Sequence, residues 1–141
     1  MSELTFKTIE KAAGGTEYSL DDVLSVLKFN EDGLIPCIAQ QHDTKEVLMM
    51  AWMNIDSLKE TLETGQMCYW SRSRKTYWRK GESSGHRQIL KRMTTDCDGD
   101  TMLAFVDQTG AACHTYRRDC FFVELSADGV TVTSDPGHHH E

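Results

Sequence analysis

No run of apolar residues in this 141-residue chain approaches the roughly 18 that a membrane-spanning helix needs, and the mean hydropathy is -0.49. The first fifteen residues lack the basic-then-apolar order of a secretion signal. Cysteines number five, an odd count that, without a secretion signal, argues against a disulfide framework and for reduced thiols in the cytoplasm. None of them forms a Cys-x-x-Cys pair, which excludes a local zinc finger. There is no internal repeat and no βαβ alternation, so a doubly wound parallel sheet is disfavoured. Positive charge is also short. Lys and Arg number 15 against 22 Asp and Glu, for a net charge of -7, which weighs against a surface coated for nucleic acid or membrane.

What remains is an ordinary globular composition, 39% hydrophobic and 26% charged, long enough for one domain with its own core. Residues 1–18 read as a loose N-terminal extension, 19–133 as a single domain and 134–141 as a flexible tail. The tail's His138, His139 and His140 read as solvated residues that bind metal only casually. Leu20, Val23, Leu24 and Leu27 predict a short helix capped by Ser19. Ile55, Leu58 and Leu62 predict a second, opened by Asn54 and closed by Gly65. Strands are expected over 34–41, 46–53, 67–71, 76–79, 87–95, 101–107, 120–126 and 130–133. The fold class is therefore mainly β, of the α+β kind, with about two short helices.

The charge is unevenly spread. From Arg72 to Arg92 there are eight Lys or Arg and a single acid, Glu82, so this stretch carries +7 and the rest of the chain -14. Aromatic residues interleave with it: Tyr69, Trp70, Tyr77 and Trp78 alternate with Arg72, Arg74, Arg79 and Lys80, followed by Ser83, Ser84, Gly85 and His86. Aromatic faces stack bases, arginine forks bind phosphate, and Gly and Ser let backbone and hydroxyl donors approach it. These ingredients suit a phosphorylated nucleotide or single-stranded RNA. They equally suit a strand pair with its aromatics in the core and its arginines in water.

Two further clusters have the chemistry of metal ligands. In Asp96-Cys97-Asp98-Gly99-Asp100, alternation puts Asp96 and Asp98 on one face, and Gly99 allows a bend that returns Asp100 towards them. Oxygen donors of this kind suit Mg²⁺, Mn²⁺ or Ca²⁺, although a solvated acidic turn reads the same way. An EF-hand is excluded, because the glycine is the fourth residue of the string rather than the sixth. Cys97, Cys113 and Cys120 could hold zinc with an open fourth position if the fold or a second subunit brings them together; otherwise they are buried, inert thiols. His114, beside Cys113, is a candidate general base or fourth ligand.

In this order and spacing the strings resemble the phosphoribosyl-AMP cyclohydrolase family of histidine biosynthesis. The likeness runs from about Gly33 to Phe122, through Gly33-Leu34-Ile35-Pro36, Ala51-Trp52-Met53-Asn54, Tyr69-Trp70-Ser71-Arg72-Ser73-Arg74 and Trp78-Arg79-Lys80-Gly81-Glu82 with Ser84-Gly85-His86. It continues through Asp96 to Asp100, Gln108-Thr109-Gly110, Ala112-Cys113-His114-Thr115, Arg117-Arg118 and Cys120-Phe121. The resemblance implies a bent mixed sheet forming a pseudo-barrel in an intertwined homodimer. It also implies hydrolysis of the adenine N1–C6 bond of 1-(5-phosphoribosyl)-AMP by zinc-activated water. Carried over, zinc falls to Cys97 of one subunit with Cys113 and Cys120 of the other, and magnesium to Asp96, Asp98 and Asp100. His114 becomes the proton-transferring residue. Trp70, Arg72, Arg74, Lys80, Ser84 and His86 become contacts for a substrate with two phosphates.

Two positions depart from the family pattern: Tyr116 stands where glycine is usual, and Asp119 where serine is usual. The alternative reading is a small RNA-binding module with structural zinc, which leaves the three aspartates without a task and places acids where a phosphate backbone would be repelled. A zinc nucleoside deaminase is disfavoured by the lack of His-x-Glu and Pro-Cys-x-x-Cys strings.

Overall fold

The computed structural model describes residues 4–137; the tail histidines at 138–140 lie outside them. Among the described residues, three helices and eight strands occur in the order α1 (Phe6–Ile9), α2 (Leu20–Val26), β1 (Ile35–Gln41), β2 (Val47–Met53), α3 (Ile55–Thr64), β3 (Cys68–Ser71), β4 (Thr76–Arg79), β5 (Gln88–Thr95), β6 (Met102–Gln108), β7 (Val123–Ser126) and β8 (Gly129–Val132). Local chemistry sets the helix ends. The Ser19 side chain accepts from the Asp22 N–H to start α2. Asn54 and Ser57 form a reciprocal capping box at α3, and Gly65 closes that helix in the left-handed conformation, with φ 78°.

Six strands make one mixed sheet, ordered β4-β3-β2-β1-β6-β5. The central β1 pairs antiparallel with β2 and parallel with β6. Burial alternates residue by residue along β1 and β6, as expected of strands with one face on the core. The sheet curls until its β5 edge meets the segment just ahead of β3. Leu90 N–H donates to the Gly65 carbonyl at 2.7 Å, Met67 N–H donates to the Gln88 carbonyl at 3.1 Å, and Gln66 bridges Ile89. Tyr69 Oη on β3 donates to Gln88 Oε1 on β5 at 2.7 Å through the interior. The result is the expected α+β class, a curled half-barrel. Leu24, Leu27, Leu48, Met53, Leu58 and Met67 fill its core, each worth about 1.5–3 kcal/mol when fully buried.

One helix was not expected. The segment read as a loose extension contains α1, and its Phe6 is buried. The Phe6 ring seats directly on Gly99, with φ 70°, where a Cβ would have no room. Lys28 N–H donates to the Gly99 carbonyl at 2.8 Å. The start of the chain therefore braces the aspartate turn. In the region read as tail, Gly137 N–H donates to the Thr115 carbonyl at 3.1 Å and the Ser134 carbonyl accepts from Arg117 Nε at 3.0 Å, so 134–137 rest on the loop after Cys113. β7 and β8 form a separate hairpin whose Val123, Leu125, Val130 and Val132 are exposed. Among the described residues no helix is long and apolar enough to cross a membrane.

Candidate active site

The basic and aromatic segment is folded as the β3–β4 hairpin. Trp52 on β2 pairs with Trp70 on β3, and Trp70 pairs in turn with Tyr77 on β4. Residues directly opposite one another share a face of the sheet, so these three rings line up, Trp70 and Tyr77 edge to face at 5.1 Å. The turn between the strands is held by the Arg74 N–H donating to Ser71 Oγ at 3.3 Å. It carries the Arg72 guanidinium back over the Trp52 ring, 4.8 Å from its centroid. The outcome is an open cavity of about 590 Å³ lined by Met50, Trp52, Trp70, Arg72, Arg74 and Trp78, among others. A neighbouring cavity of about 310 Å³ shares Arg74 and Trp78 and adds Glu82, Ser83 and Ser84. Volumes of this order suit a nucleotide-sized ligand.

Trp70, Arg72 and Arg74 are thus brought into one cavity, with Ser84 beside it. Trp52, in the Ala51-Trp52-Met53-Asn54 string, joins the lining through its pairing with Trp70. Two expected phosphate contacts lie elsewhere. The His86 ring packs against Gly110, whose missing side chain makes room for it, and meets Tyr116 edge-on at 5.9 Å. Lys80 is buried, at 6% exposure, with Nζ donating to the Ala112 carbonyl at 2.6 Å and 4.9 Å from the Trp78 ring centroid. The ammonium is thus engaged by the protein itself. Arg79 is also committed: its Nε and Nη2 hold the Glu60 carboxylate, each at 2.8 Å. That pair keeps Glu60 below the usual carboxylate range.

Lys80 leads to the thiols. Cys113 is buried and Cys120 half-buried, and the two thiols lie close enough to influence each other's acidity. The Cys120 thiol is pushed up to about 12, first by burial and then by Cys113; Lys80 opposes this. Burial also pushes Cys113 up, but Thr115 Oγ1, donating to its sulfur at 3.0 Å, the Cys120 thiol and Arg117 outweigh it, and the net shift is downward. The two thiols are therefore shifted in opposite directions, Cys113 down and Cys120 up. Cys97 is exposed on its own turn, where a second chain could reach it. His114 is exposed next to Cys113.

The aspartates share that turn. The Asp100 N–H donates to Asp96 Oδ1 at 3.1 Å. Slight burial raises Asp96, but N–H donors from Asp100, Thr101 and Gly99 outweigh it and hold its carboxyl low. Asp100 is raised, chiefly by sharing a hydrogen bond with Asp96, with Asp98 adding repulsion. Among the described residues no three His, Cys, Asp or Glu side chains gather closely enough to hold a metal ion. The donor types fit all the same: thiols are the ordinary ligands of zinc and carboxylate oxygens those of magnesium.

The two departures from the family pattern have local explanations. Tyr116 adopts φ 65°, the left-handed conformation that favours glycine. Asp119 Oδ1 accepts from the Phe121 N–H at 2.8 Å, a turn-closing role that a serine hydroxyl also fills.

A family model described as phosphoribosyl-AMP cyclohydrolase matches residues 49–122. A protein of that name from Hydrogenovibrio crunogenus is 54% identical over 134 residues, covering 95% of this chain and 91% of its own. One from Chromohalobacter salexigens is 60% identical over 131 residues, covering 93% and 90%. One from Acidiphilium cryptum is 63% identical over 108 residues, covering 77% and 93%. With the tryptophan and arginine cavity, the thiol pair and the aspartate turn all falling within residues 49–122, the chain belongs to the phosphoribosyl-AMP cyclohydrolase family of enzymes.

Proposed function

We propose that this chain opens the adenine ring of 1-(5-phosphoribosyl)-AMP at the N1–C6 bond, a step of histidine biosynthesis in the cytoplasm, and does so as a homodimer. The observation that carries the reading is the cavity in which Trp52, Trp70, Arg72 and Arg74 converge, in a chain of this family. The tryptophan faces hold the purine and its ribosyl arms, and the two arginines take phosphate as bidentate donors. N1-ribosylation makes C6 electrophilic. A water oxygen bonds to C6, the electron pair of the N1–C6 bond leaves with N1, and N1 takes a proton. His114, exposed beside Cys113, is the imidazole that moves that proton in this reading.

Cys113 and Cys120 of one protomer with Cys97 of the other would hold zinc, and Asp96, Asp98 and Asp100 would hold magnesium. Zinc, when bound, supplies a Lewis acid that brings the acidity of water close to neutral pH. The adjacency of Cys113 and Cys120, and the exposure of Cys97 on a separate turn, support a site shared between chains. The exposed valines and Leu125 of the β7–β8 hairpin offer a surface that a second copy covers.

The test is to supply 1-(5-phosphoribosyl)-AMP to the metal-loaded protein and follow ultraviolet absorbance and product mass, with a chelator control. Chelator-sensitive gain of one water supports the reading; an unchanged substrate contradicts it. Sharing is tested separately by mixing inactive Cys97→Ala and Cys113→Ala chains. Verified heterodimers regain activity at one of their two sites if the thiols are shared, and stay inactive if they are not.

A further inference from the structure

We propose that Lys80 is a positioning residue of the Cys113–Cys120 thiol pair rather than a contact for substrate phosphate; the inference rests on the reading of that pair as zinc ligands. Lysine is almost never buried without a partner, and here the partners are specific. Nζ donates to the Ala112 carbonyl at 2.6 Å, and the Trp78 ring lies 4.9 Å from it. Its own backbone is fixed by the Lys80 N–H donating to the Met67 carbonyl at 3.0 Å. Ala112 immediately precedes Cys113 and opens a short loop closed by Ala112 N–H to the Arg118 carbonyl at 3.0 Å and Cys113 N–H to the Arg117 carbonyl at 3.2 Å. Lys80 therefore ties the end of β4, next to the substrate cavity, to the root of the loop that carries the first thiol. The ammonium also lies close enough to both sulfurs to interact with each. A cluster of thiolates needs neighbouring positive charge and hydrogen-bonded support to hold its geometry, and Lys80 supplies both. Residues that support metal ligands in this way commonly change metal affinity about 10–100-fold when removed.

The experiment compares zinc dissociation constants of the wild-type dimer, Lys80→Met and Lys80→Arg in a competing chromogenic chelator. The cobalt(II)–thiolate absorption of each protein and its KM for the substrate are measured in parallel. Lys80→Met keeps most of the stem's packing beneath Trp78 and removes the ammonium. The expected result is a zinc dissociation constant raised about 10–100-fold, an altered cobalt–thiolate band, and KM within about twofold of wild type. Wild-type zinc retention with a KM raised tenfold or more overturns the proposal and returns Lys80 to the phosphate grip. Should Lys80→Met fail to fold, Lys80→Gln takes its place: it loses the charge, so weakened zinc retention supports the proposal and wild-type retention overturns it, while Lys80→Arg, which keeps charge and donor, is expected to retain zinc better than either neutral variant. If the wild-type protein binds neither zinc nor cobalt through its thiols, the metal reading itself fails, and that failure is seen in the wild-type arm before any variant is considered.

Discussion

The guanidinium of Arg72 lies 4.8 Å from the centroid of the Trp52 ring, although twenty positions separate the two in sequence. The pairing of Trp52 with Trp70 and the tight turn after Ser71 bring them together. Stacking on the ring restrains a long side chain that would otherwise lose rotamer freedom on meeting a ligand, so the arginine fork is pre-set at the cavity's mouth.

Arg72→Gln is expected to raise KM for 1-(5-phosphoribosyl)-AMP about 10–100-fold. A hydrogen bond to a charged group is worth about 1.5–3 kcal/mol, and each 1.4 kcal/mol is about tenfold. Arg79→Gln should leave KM within about twofold, because Glu60 already engages the Arg79 fork. Steady-state kinetics on the two variants checks this; equal KM effects would dissolve the distinction between them.

Phe6 and Gly99 should behave as a coupled pair. Phe6→Ala is expected to cost about 3 kcal/mol as a large-to-small core change. Gly99→Ala should cost about 1–3 kcal/mol, because its methyl group meets the ring and its φ is positive. The double variant should lose less than the two losses added, since the vacated ring space accepts the methyl group. Denaturant midpoints decide the point, and strict additivity would show that the contact does not matter.

Tyr116 sits at φ 65°. Replacing it with Gly or with Val removes the same edge contact with His86, so the difference between the two isolates the backbone. Tyr116→Gly should be more stable than Tyr116→Val by about 1–2 kcal/mol, the cost of left-handed backbone for a residue with a side chain. Thermal melts of both variants measure it, and equal midpoints would mean that the loop changes conformation.

The Glu60–Arg79 pair gives a pH signature. Arg79 lowers the Glu60 carboxyl below its ordinary 4.5. A depressed folded value adds stability above the unfolded value, and that stability is lost as pH falls through the folded one. Both side chains are partly exposed, so Glu60→Gln should cost no more than about 1 kcal/mol at neutral pH. The two proteins should converge in acid, once pH falls below the depressed folded-state value. Urea titrations at several pH values test this, and a gap that persists in acid would contradict it.

The helix ends were legible because capping is local. Ser19, Asn54 and Gly65 act within four residues of themselves. The strands were legible from alternation, but the parallel pairing of β1 with β6 and the curl that joins Gly65 and Gln66 to β5 depend on distant segments that no short window contains. Trp70, Arg72 and Arg74 share one cavity because one hairpin holds them. The burial of Lys80 was hidden, since it depends on a carbonyl thirty-two positions away at Ala112. Phe6 was hidden too, because a lone aromatic residue in a polar stretch has no period to reveal it. Tyr116 stood out in the sequence only as a departure from the usual glycine, and its left-handed backbone is a finding of the structure.

The central claim, that water adds at C6 and N1 departs, is tested most directly by turnover in ¹⁸O-labelled water with mass analysis of the product and an ammonia assay. The account predicts one ¹⁸O atom in the carboxamide of an opened imidazole product and no ammonia. Ammonia released in step with turnover, with the label on an intact purine ring, would contradict it.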